Sequence, residues 1–389
     1  MKVSKTLLAT AALAIAPFAF AQEAQTVSAP ATDAPAANSD TTKITIEVPK
    51  VKFAEVKDIT ITPSAMVQVQ YAYATNNRST TGDNSGFAIR RSSLGATAKT
   101  TDGWAISVVY QFDSSGKGGD NWSRYIDKAL ISKKTEYGTL SVGHKKNHFG
   151  VEEYSSSALF PCIERSLNSN FLNGKGAKGL SGYHCGVEWA GKADSFDYGM
   201  SLTNAVAKDY DEKSNDLAVT YYVGKKIKFA DKESLYLGFN GIVNFGDDET
   251  AANSNGGTVY GFEPYAQYQN GNLNLLGIVY YVDGDGDKSG VKPFYGLNLT
   301  ATYKLDCGIE PAFRFTYLNT DSGKVDASTQ KNVPANPETD NAYTIYAGAN
   351  YYFNKYVKVA AGYEVGHLYG GAAHDATYGA FRTMLQMKF

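Results

Sequence analysis

The feature that most constrains the fold is a long-range alternation of apolar and polar residues. Between residues 59 and 389, apolar side chains recur at every second position in runs of roughly ten to sixteen residues, separated by polar or glycine-containing connectors. A period of two is typical of β-strands, whose successive side chains point to opposite faces. Soluble strands average about five or six residues, whereas about nine to eleven are needed to cross a bilayer. The pattern therefore predicts membrane-spanning strands.

The predicted strands number sixteen. Their bounds are 59 to 75, 87 to 101, 103 to 113, 122 to 134, 137 to 147, 182 to 192, 194 to 204, 214 to 228, 233 to 246, 256 to 269, 272 to 283, 290 to 305, 308 to 320, 340 to 353, 355 to 368 and 376 to 389. Short and long connectors alternate strictly between them, as in bacterial outer-membrane barrels with short periplasmic turns and long outer loops. We expect an all-β fold, a 16-stranded antiparallel transmembrane β-barrel over residues 59–389.

Composition agrees with a barrel and argues against a helical bundle. The chain has 28 Tyr, 19 Phe and 38 Gly against 11 Pro and 5 Met, which favours β structure with aromatic belts. Mean hydropathy is -0.31, and after the N-terminal region no run of about 18 apolar residues occurs. A barrel remains compatible with such an average, because its inward faces are polar.

The N-terminal region predicts export. Lys2 and Lys5 precede an apolar run over residues 7–20, and Ala19-Phe20-Ala21 has the small-x-small form of a cleavage site. We expect residues 1–21 to be a signal peptide. Residues 22–58 begin with a stretch rich in Ala, Thr, Pro and Ser that has little apolar bulk to bury, so we predict a periplasmic low-complexity leader or tether.

The charge balance excludes a nucleic-acid partner. The chain carries 37 Lys and Arg against 39 Asp and Glu; removing the signal peptide with Lys2 and Lys5 leaves 35 against 39, a formal charge of -4. Nucleic-acid binding would need a strong basic excess.

The C-terminal stretch FRTMLQMKF, residues 381–389, reads as the closing strand of the barrel. Its odd-numbered residues form an apolar face for outer-membrane lipid and lipopolysaccharide, and its even-numbered residues form a more polar face for the lumen. A terminal Phe389 after an alternating strand resembles the signal by which the barrel-assembly machinery recognises its substrates. We therefore expect residues added after Phe389 to impair assembly.

The connector at residues 148–181 is far longer than the others and unusually long for a structureless loop. It contains apolar side chains, Leu159, Phe160, Leu167 and Phe171 among them, which favour burial over exposure to water. We predict that this third loop folds into the lumen and narrows the pore.

Three stretches in order resemble the phosphate-selective porins of the O and P type: FAIRRSSLGATAKTTDGWAISVVYQFD, GTLSVGHKKNHFGVEEYSSS and IERSL, within residues 86–190. The resemblance implies a homotrimeric outer-membrane channel of sixteen strands. It also implies that the third loop forms the constriction and that basic side chains along the pore bind small anions such as phosphate. No cofactor is implied.

The basic residues that could serve such a pore are few arginines and more lysines. Arg91, Arg314 and Arg382 fall on inward faces, Arg165 lies in the loop, and Lys145, Lys175 and Lys178 surround the loop. The full arginine ladder expected of a phosphate-specific member is absent. Lysine gives a point charge where arginine gives a bidentate fork, so we predict modest anion preference rather than strict phosphate specificity.

Two features of the loop bear on how it is held. Glu164 and the adjacent Arg165 could form an ion pair that fixes the loop, or Arg165 could face the permeating ion; the sequence leaves both open. Of the three cysteines, Cys162 and Cys185 flank the loop apex and its return, and an exported protein meets oxidising conditions. We predict a Cys162–Cys185 disulfide, which would contribute about 3 kcal/mol.

The sequence contains no G-x-S-x-G, H-E-x-x-H or P-loop motif. We therefore expect a channel for passive diffusion of small hydrophilic solutes rather than an enzyme. Two alternatives stay open: a structural barrel that tethers the envelope through its leader, and a barrel enzyme.

Overall fold

The computed structural model describes residues 58–79, 81–112, 126–173, 180–204, 217–246, 257–285, 291–321, 324–336, 338–371 and 375–389. The predicted signal peptide and all but the last residue of the predicted leader lie outside the described residues. Lys175 and Lys178 lie outside them as well.

Sixteen β-strands and three short helices make up the described part of the chain. The strands β1 to β16 are Ile59–Asn76, Asn84–Thr100, Trp104–Gln111, Ile126–Thr135, Gly138–Lys146, Tyr183–Ala193, Phe196–Asn204, Leu217–Ala230, Glu233–Phe245, Val259–Asn270, Leu273–Gly284, Phe294–Tyr303, Ile309–Thr320, Asn341–Tyr352, Val357–Tyr369 and Ala376–Lys388. Helices α1 (Val151–Tyr154) and α2 (Leu167–Asn173) lie between β5 and β6, and a 3-10 helix spans Ala327–Thr329. Neither described α-helix has the length and apolarity to cross a bilayer.

The strands form one closed sheet in which each pairs antiparallel with its neighbours in sequence and β1 pairs with β16. The predicted 16-stranded antiparallel barrel is thus confirmed. Predicted and observed bounds differ by a few residues at some strand ends: β2 begins at Asn84 rather than 87, and β15 at Val357 rather than 355. Closure pairs the backbone groups of the strands without leaving a sheet edge, which hydrocarbon could not satisfy.

The two faces of the sheet follow the predicted alternation. In β12, Leu299 and Tyr295 point outward and are about half exposed, whereas Asn298, Thr300 and Thr302 point inward and are buried. The same division holds in the closing strand β16, where Leu385 and Met387 face outward and Arg382, Met384 and Gln386 face inward. The outer surface is therefore an apolar band and the interior is rich in polar groups, as a bilayer requires.

The chain end is fixed to the first strand. The Phe389 N–H donates to the Ala65 carbonyl at 2.8 Å, and the Phe389 ring lies 5.8 Å from that of Tyr356. Phe389 is 66% exposed at the short-turn end of the barrel. Phe389 therefore lies beside a second aromatic ring at this end of the barrel.

One irregularity of the sheet matters for the interior. In the β1–β2 ladder, Gln68 pairs with Arg91 and Val69 pairs with Ile89, so Arg90 is an extra residue without a partner on β1. Such a β-bulge interrupts the alternation of side chains. As a result, Arg90 and Arg91 both reach the interior, although they are consecutive in sequence.

A charge placed on the outer face should destabilise the barrel. We expect Leu299→Arg, near the middle of β12, to lower the free energy of unfolding by about 2–4 kcal/mol, because the guanidinium would face hydrocarbon. Urea unfolding in phospholipid vesicles, followed by tryptophan fluorescence, measures the change. The matched control is Gln267→Arg in β10, because the Gln267 side chain points into the barrel and is exposed to water there; this variant should change stability little. Equal losses of stability in both variants would contradict the assignment of faces.

Candidate pore constriction

The segment after β5 begins with a turn that a carboxylate holds against the barrel wall. Glu263 of β10 is fully buried and accepts hydrogen bonds from the N–H groups of Gly150 (2.8 Å) and Val151 (2.7 Å), and from Asn240 Nδ2 (2.8 Å). Gly150 has φ +91°, and a Cβ there would lie 2.8 Å from the Ser181 Cβ. The preceding Phe149 packs on Gly261, where a Cβ would approach its ring to 2.5 Å. The Phe-Gly pair therefore suits a close approach of the segment to β10.

The two glutamates of α1 are buried and satisfied. Glu152 accepts from the Ser166 N–H (3.0 Å), from the Ser166 hydroxyl and from Asn298 Nδ2 of β12 (2.7 Å). Glu153 forms ion pairs with Lys146 Nζ (2.8 Å) and Arg165 Nε (3.0 Å). Burial disfavours the charged form of Glu153, but the Arg165 and Lys146 cations outweigh it and hold its pKa below the usual value.

Glu164 is the residue of the segment that is bound most tightly to β2. Its two carboxylate oxygens accept from Arg90 Nε (2.6 Å) and Arg90 Nη2 (2.8 Å), a bidentate pair, and Arg91 Nη2 lies 3.7 Å away. Burial opposes ionisation of Glu164, yet the Arg90 guanidinium prevails and lowers the pKa of this carboxyl well below its ordinary range.

Arg314 of β13 holds the same segment from the opposite wall. Its side chain has no exposure and donates to the Glu164 carbonyl (2.7 Å), the Arg165 carbonyl (3.3 Å) and Glu364 Oε2 (2.8 Å). Arg382 of β16 donates to the Lys331 carbonyl (2.7 Å). These two arginines are therefore occupied by protein acceptors.

A second connector, residues 324–336, packs beside the first. Gln330 Nε2 donates to the Arg165 carbonyl (3.1 Å) and to Glu364 Oε1 (2.7 Å), while its Oε1 accepts from Asn170 Nδ2 (2.6 Å). Apolar side chains from both connectors and from inward positions of the strands form one buried cluster. Its members include Phe149, Leu167, Phe171, Leu172, Tyr280, Phe294, Leu318, Val325, Val333, Leu368 and Tyr378.

Near β5 and β6 the interior is polar. Lys145 Nζ forms an ion pair with Glu188 Oε1, and His148 Nε2 lies 3.4 Å from Glu188 Oε2. The His148 ring stacks on Tyr222 with centroids 3.9 Å apart. Burial lowers the pKa of His148, so this ring is neutral at pH 7 and Lys145 supplies the positive charge of the group.

The structure places five of the predicted site residues together on the interior: Arg91, Lys145, Arg165, Arg314 and Arg382. Glu164 and Arg165 could have paired with each other, but each has a different partner, Arg90 and Glu153 respectively. The prediction for Lys175 and Lys178 falls on residues that the structure does not describe.

The predicted disulfide is wrong. Cys162 and Cys185 are both free thiols. Cys162 is buried inside, where it packs with Ala312 and Tyr346. Cys185 of β6 lies two residues before the exposed Val187 and therefore shares its outward face of the sheet. The barrel wall separates the two sulfur atoms, so no backbone adjustment of a loop could join them.

Arg90 is the main residue that sequence analysis missed. Strict period two assigns it to the lipid face, because Arg91 faces inward. Two consecutive arginines in a membrane strand were the available indication, since an arginine in hydrocarbon is costly and a bulge brings both inside.

A closed barrel with an apolar outer band, a polar interior and a loop segment held to strand residues by ion pairs defines an outer-membrane channel of the porin class. The model of the family "phosphate-selective porin O and P" matches residues 64–295, more than half of the chain. The chain belongs to this family. No match was found among curated proteins by sequence.

Solved structures share the fold. An anion-selective porin from Comamonas acidovorans has 14% identity and a TM-score of 0.60, covering 85% of this chain and 100% of that one. The channel DcaP of Acinetobacter baumannii has 13% identity and a TM-score of 0.59, covering 87% of this chain and 99% of that one. A loop-deletion mutant of OmpT, an outer membrane protein of Vibrio cholerae, has 17% identity and a TM-score of 0.58, covering 85% of this chain and 100% of that one. At these identities the likeness establishes the fold alone.

Removing the Glu164 carboxylate should release the segment from β2. Glu164→Gln leaves Arg90 and Arg91 without their charge partner, and we expect docking of the segment to weaken by about 3 kcal/mol. Trypsin cleavage after Arg165, identified by mass spectrometry, should become faster at pH 7. Glu136→Gln at an exposed turn is the control; equal protection in both variants would contradict the role of the pair.

The same pair predicts a pH dependence. The pKa of Glu164 in the folded protein lies below the unfolded value of about 4.3. The Arg90–Glu164 pair therefore stabilises the docked segment fully above that value, and this stabilisation is lost as the pH falls through the folded pKa. Cleavage after Arg165 by an acid-tolerant protease mixture should thus stay slow from pH 7 down to about 4.5 and accelerate only below. Faster cleavage already at pH 6 would contradict this assignment.

The cysteines should behave as three thiols of unequal reactivity. Burial raises the pKa of Cys162 to about 12, so a hydrophilic maleimide at pH 8 should label the exposed Cys307 and spare Cys162. After unfolding without reductant all three should react, as counted by intact mass. Two unreactive cysteines in the unfolded chain would instead indicate a disulfide.

Proposed function

We propose that the protein is an outer-membrane porin for passive diffusion of small hydrophilic solutes, with a modest preference for anions, phosphate among them. The observation that carries the anion preference is the exposure of the interior ion pairs. In the pairs formed by Arg90, Lys145 and Lys146 the cation is the more exposed partner.

The exposed fractions of the side chains make this asymmetry clear. Arg90 is 18% exposed against 2% for Glu164, Lys146 is 20% exposed against 5% for Glu153, and Lys145 is 20% exposed against 7% for Glu188. Water inside the barrel therefore meets ammonium and guanidinium groups, while the carboxylates lie behind them. A positive lining attracts anions and sets selectivity when it lies at a constriction.

The segment between β5 and β6 is our candidate for that constriction. Its hydrogen bonds reach β10, β12, β13 and β14, and Lys358 Nζ of β15 donates to the Phe160 carbonyl at 2.9 Å. A segment bound to so many inward positions would narrow the path on one side. Arg90 and Arg91, which meet the Glu164 carboxylate, and Arg314, which donates to the Glu164 carbonyl, would then fix the constriction.

Phosphate would be held weakly by this lining. Its tight recognition uses arginine forks, and here the forks of Arg90 and Arg314 are engaged by Glu164, Glu364 and backbone carbonyls. Phosphate selectivity is supported by membership of the family of phosphate-selective porins, and anion selectivity by the fold shared with the anion-selective porin of Comamonas acidovorans. We favour the broader anion preference.

The proposal extends to assembly and location. One OmpT structure is described as a trimer form, which supports a homotrimer here. We further propose that residues 1–21 direct export and that the barrel-assembly machinery recognises Phe389. The apolar band would then contact outer-membrane lipid and lipopolysaccharide.

Single-channel recording of the purified protein in a planar bilayer tests the proposal. In a KCl gradient we expect a reversal potential of anion-selective sign, with chloride current reduced by phosphate only at millimolar levels, about those of a weak site. A reversal potential of cation-selective sign would refute the anion preference. A barrel that inserts without conducting would refute the channel.

A further inference from the structure

Lys128 of β4 is an interior cation that no predicted site includes. Its chain neighbour Ala129 pairs with Val108, whose side chain is exposed on the outer face. Lys128 and Leu130 therefore face inward, and Leu130 lines a small interior cavity together with Lys145 and Glu188. Lys128 itself is half-buried.

Lys128 lies directly across from Lys145. In the β4–β5 ladder Ala129 pairs with His144, so the next antiparallel positions are Lys128 and Lys145. Like charges on opposite residues of neighbouring strands repel and destabilise a sheet. Two facing ammonium groups therefore destabilise the barrel unless an anion binds beside them.

The neighbouring carboxylates are engaged elsewhere. Glu188 forms its ion pair with Lys145, and Asp127 accepts a hydrogen bond from the Tyr183 hydroxyl. Among the residues that the structure describes, Lys128 forms no hydrogen bond and no ion pair through its side chain. It thus differs from Arg90, Arg165 and Arg314, each of which binds a carboxylate.

The position of Lys128 relative to the loop is also informative. The apolar cluster formed by the two connectors occupies inward positions of β8 to β16 and of β1. The more exposed cations, Arg90, Lys145 and Lys146, lie on β2 and β5, on either side of Lys128 in the sheet. Solutes that bypass the cluster would pass along this wall.

We infer that Lys128, opposite Lys145, is the specificity-determining residue of the channel: its ammonium group, which has no ion-pair partner among the described residues, binds a permeating inorganic anion on the β2–β5 wall. This inference rests on the proposed porin function and makes it more specific. The ammonium group would act as a point charge, which attracts chloride and phosphate alike and holds neither by a fixed geometry.

The test is the reversal potential of charge variants in a KCl gradient. Lys128→Gln should lower the anion-to-cation permeability ratio by at least about twofold, and Lys128→Glu should lower it further, because a charge next to the path changes the local potential directly. Lys128→Arg should keep the parent ratio. The matched control, Lys232→Gln, removes the same charge from an exposed turn outside the barrel wall and should change nothing.

A cysteine variant guards against misfolding of the substituted barrels. The variant Lys128→Cys, in a Cys307→Ser background, is folded first, and a charge is then attached to the new thiol with a methanethiosulfonate reagent. A positively charged reagent should restore the anion preference, and a negatively charged reagent should abolish it. Equal reversal potentials after both reagents, or a Lys128→Gln ratio equal to the parent's, would overturn the inference. The parent's own conductance decides the porin function separately: a conducting parent with an unaffected Lys128→Gln variant refutes this inference alone.

Discussion

Backbone amides and carbonyls inside a bilayer must pair with one another, because hydrocarbon offers them no partner. The whole architecture depends on this constraint. It requires the sixteen strands to close between β1 and β16, and it fixes which face of each strand meets lipid. Once the outer face is apolar, charged residues in the middle of the strands have only the interior to occupy.

The interior then has its own constraint, since a buried charge is costly unless a partner compensates it. Interior arginines from β2, β13 and the loop meet carboxylates, and the result is a loop held from several walls. The arginines that might have formed a phosphate ladder are thereby used in holding the loop. Where Arg90, Lys145 and Lys146 pair with carboxylates, the cation is the more exposed partner.

Much of the fold could be predicted from sequence, because period two and connector length are properties of single strands and their neighbours. The faces of β12 and β16 were predictable for this reason. The bulge at Arg90 was not, because an extra residue shows itself only in the pairing with β1. Likewise, the spacing of Cys162 and Cys185 suggested a disulfide, since sequence separation does not reveal that the barrel wall lies between them. Partners such as Arg90 with Glu164 join residues 74 positions apart, and sequence alone does not choose among the possible acceptors.

The apolar cluster between the two connectors has a thermodynamic consequence. The outer band of the barrel is stabilised by transfer into lipid, whereas Phe171, Leu172 and Val333 bury their surface away from water, as the core of a soluble protein does. Burial of this kind carries a large change in heat capacity and weakens on cooling. The attachment of the loop should therefore have a temperature of maximum stability of its own, and cold, which leaves the hydrogen-bonded wall intact, should loosen the loop first.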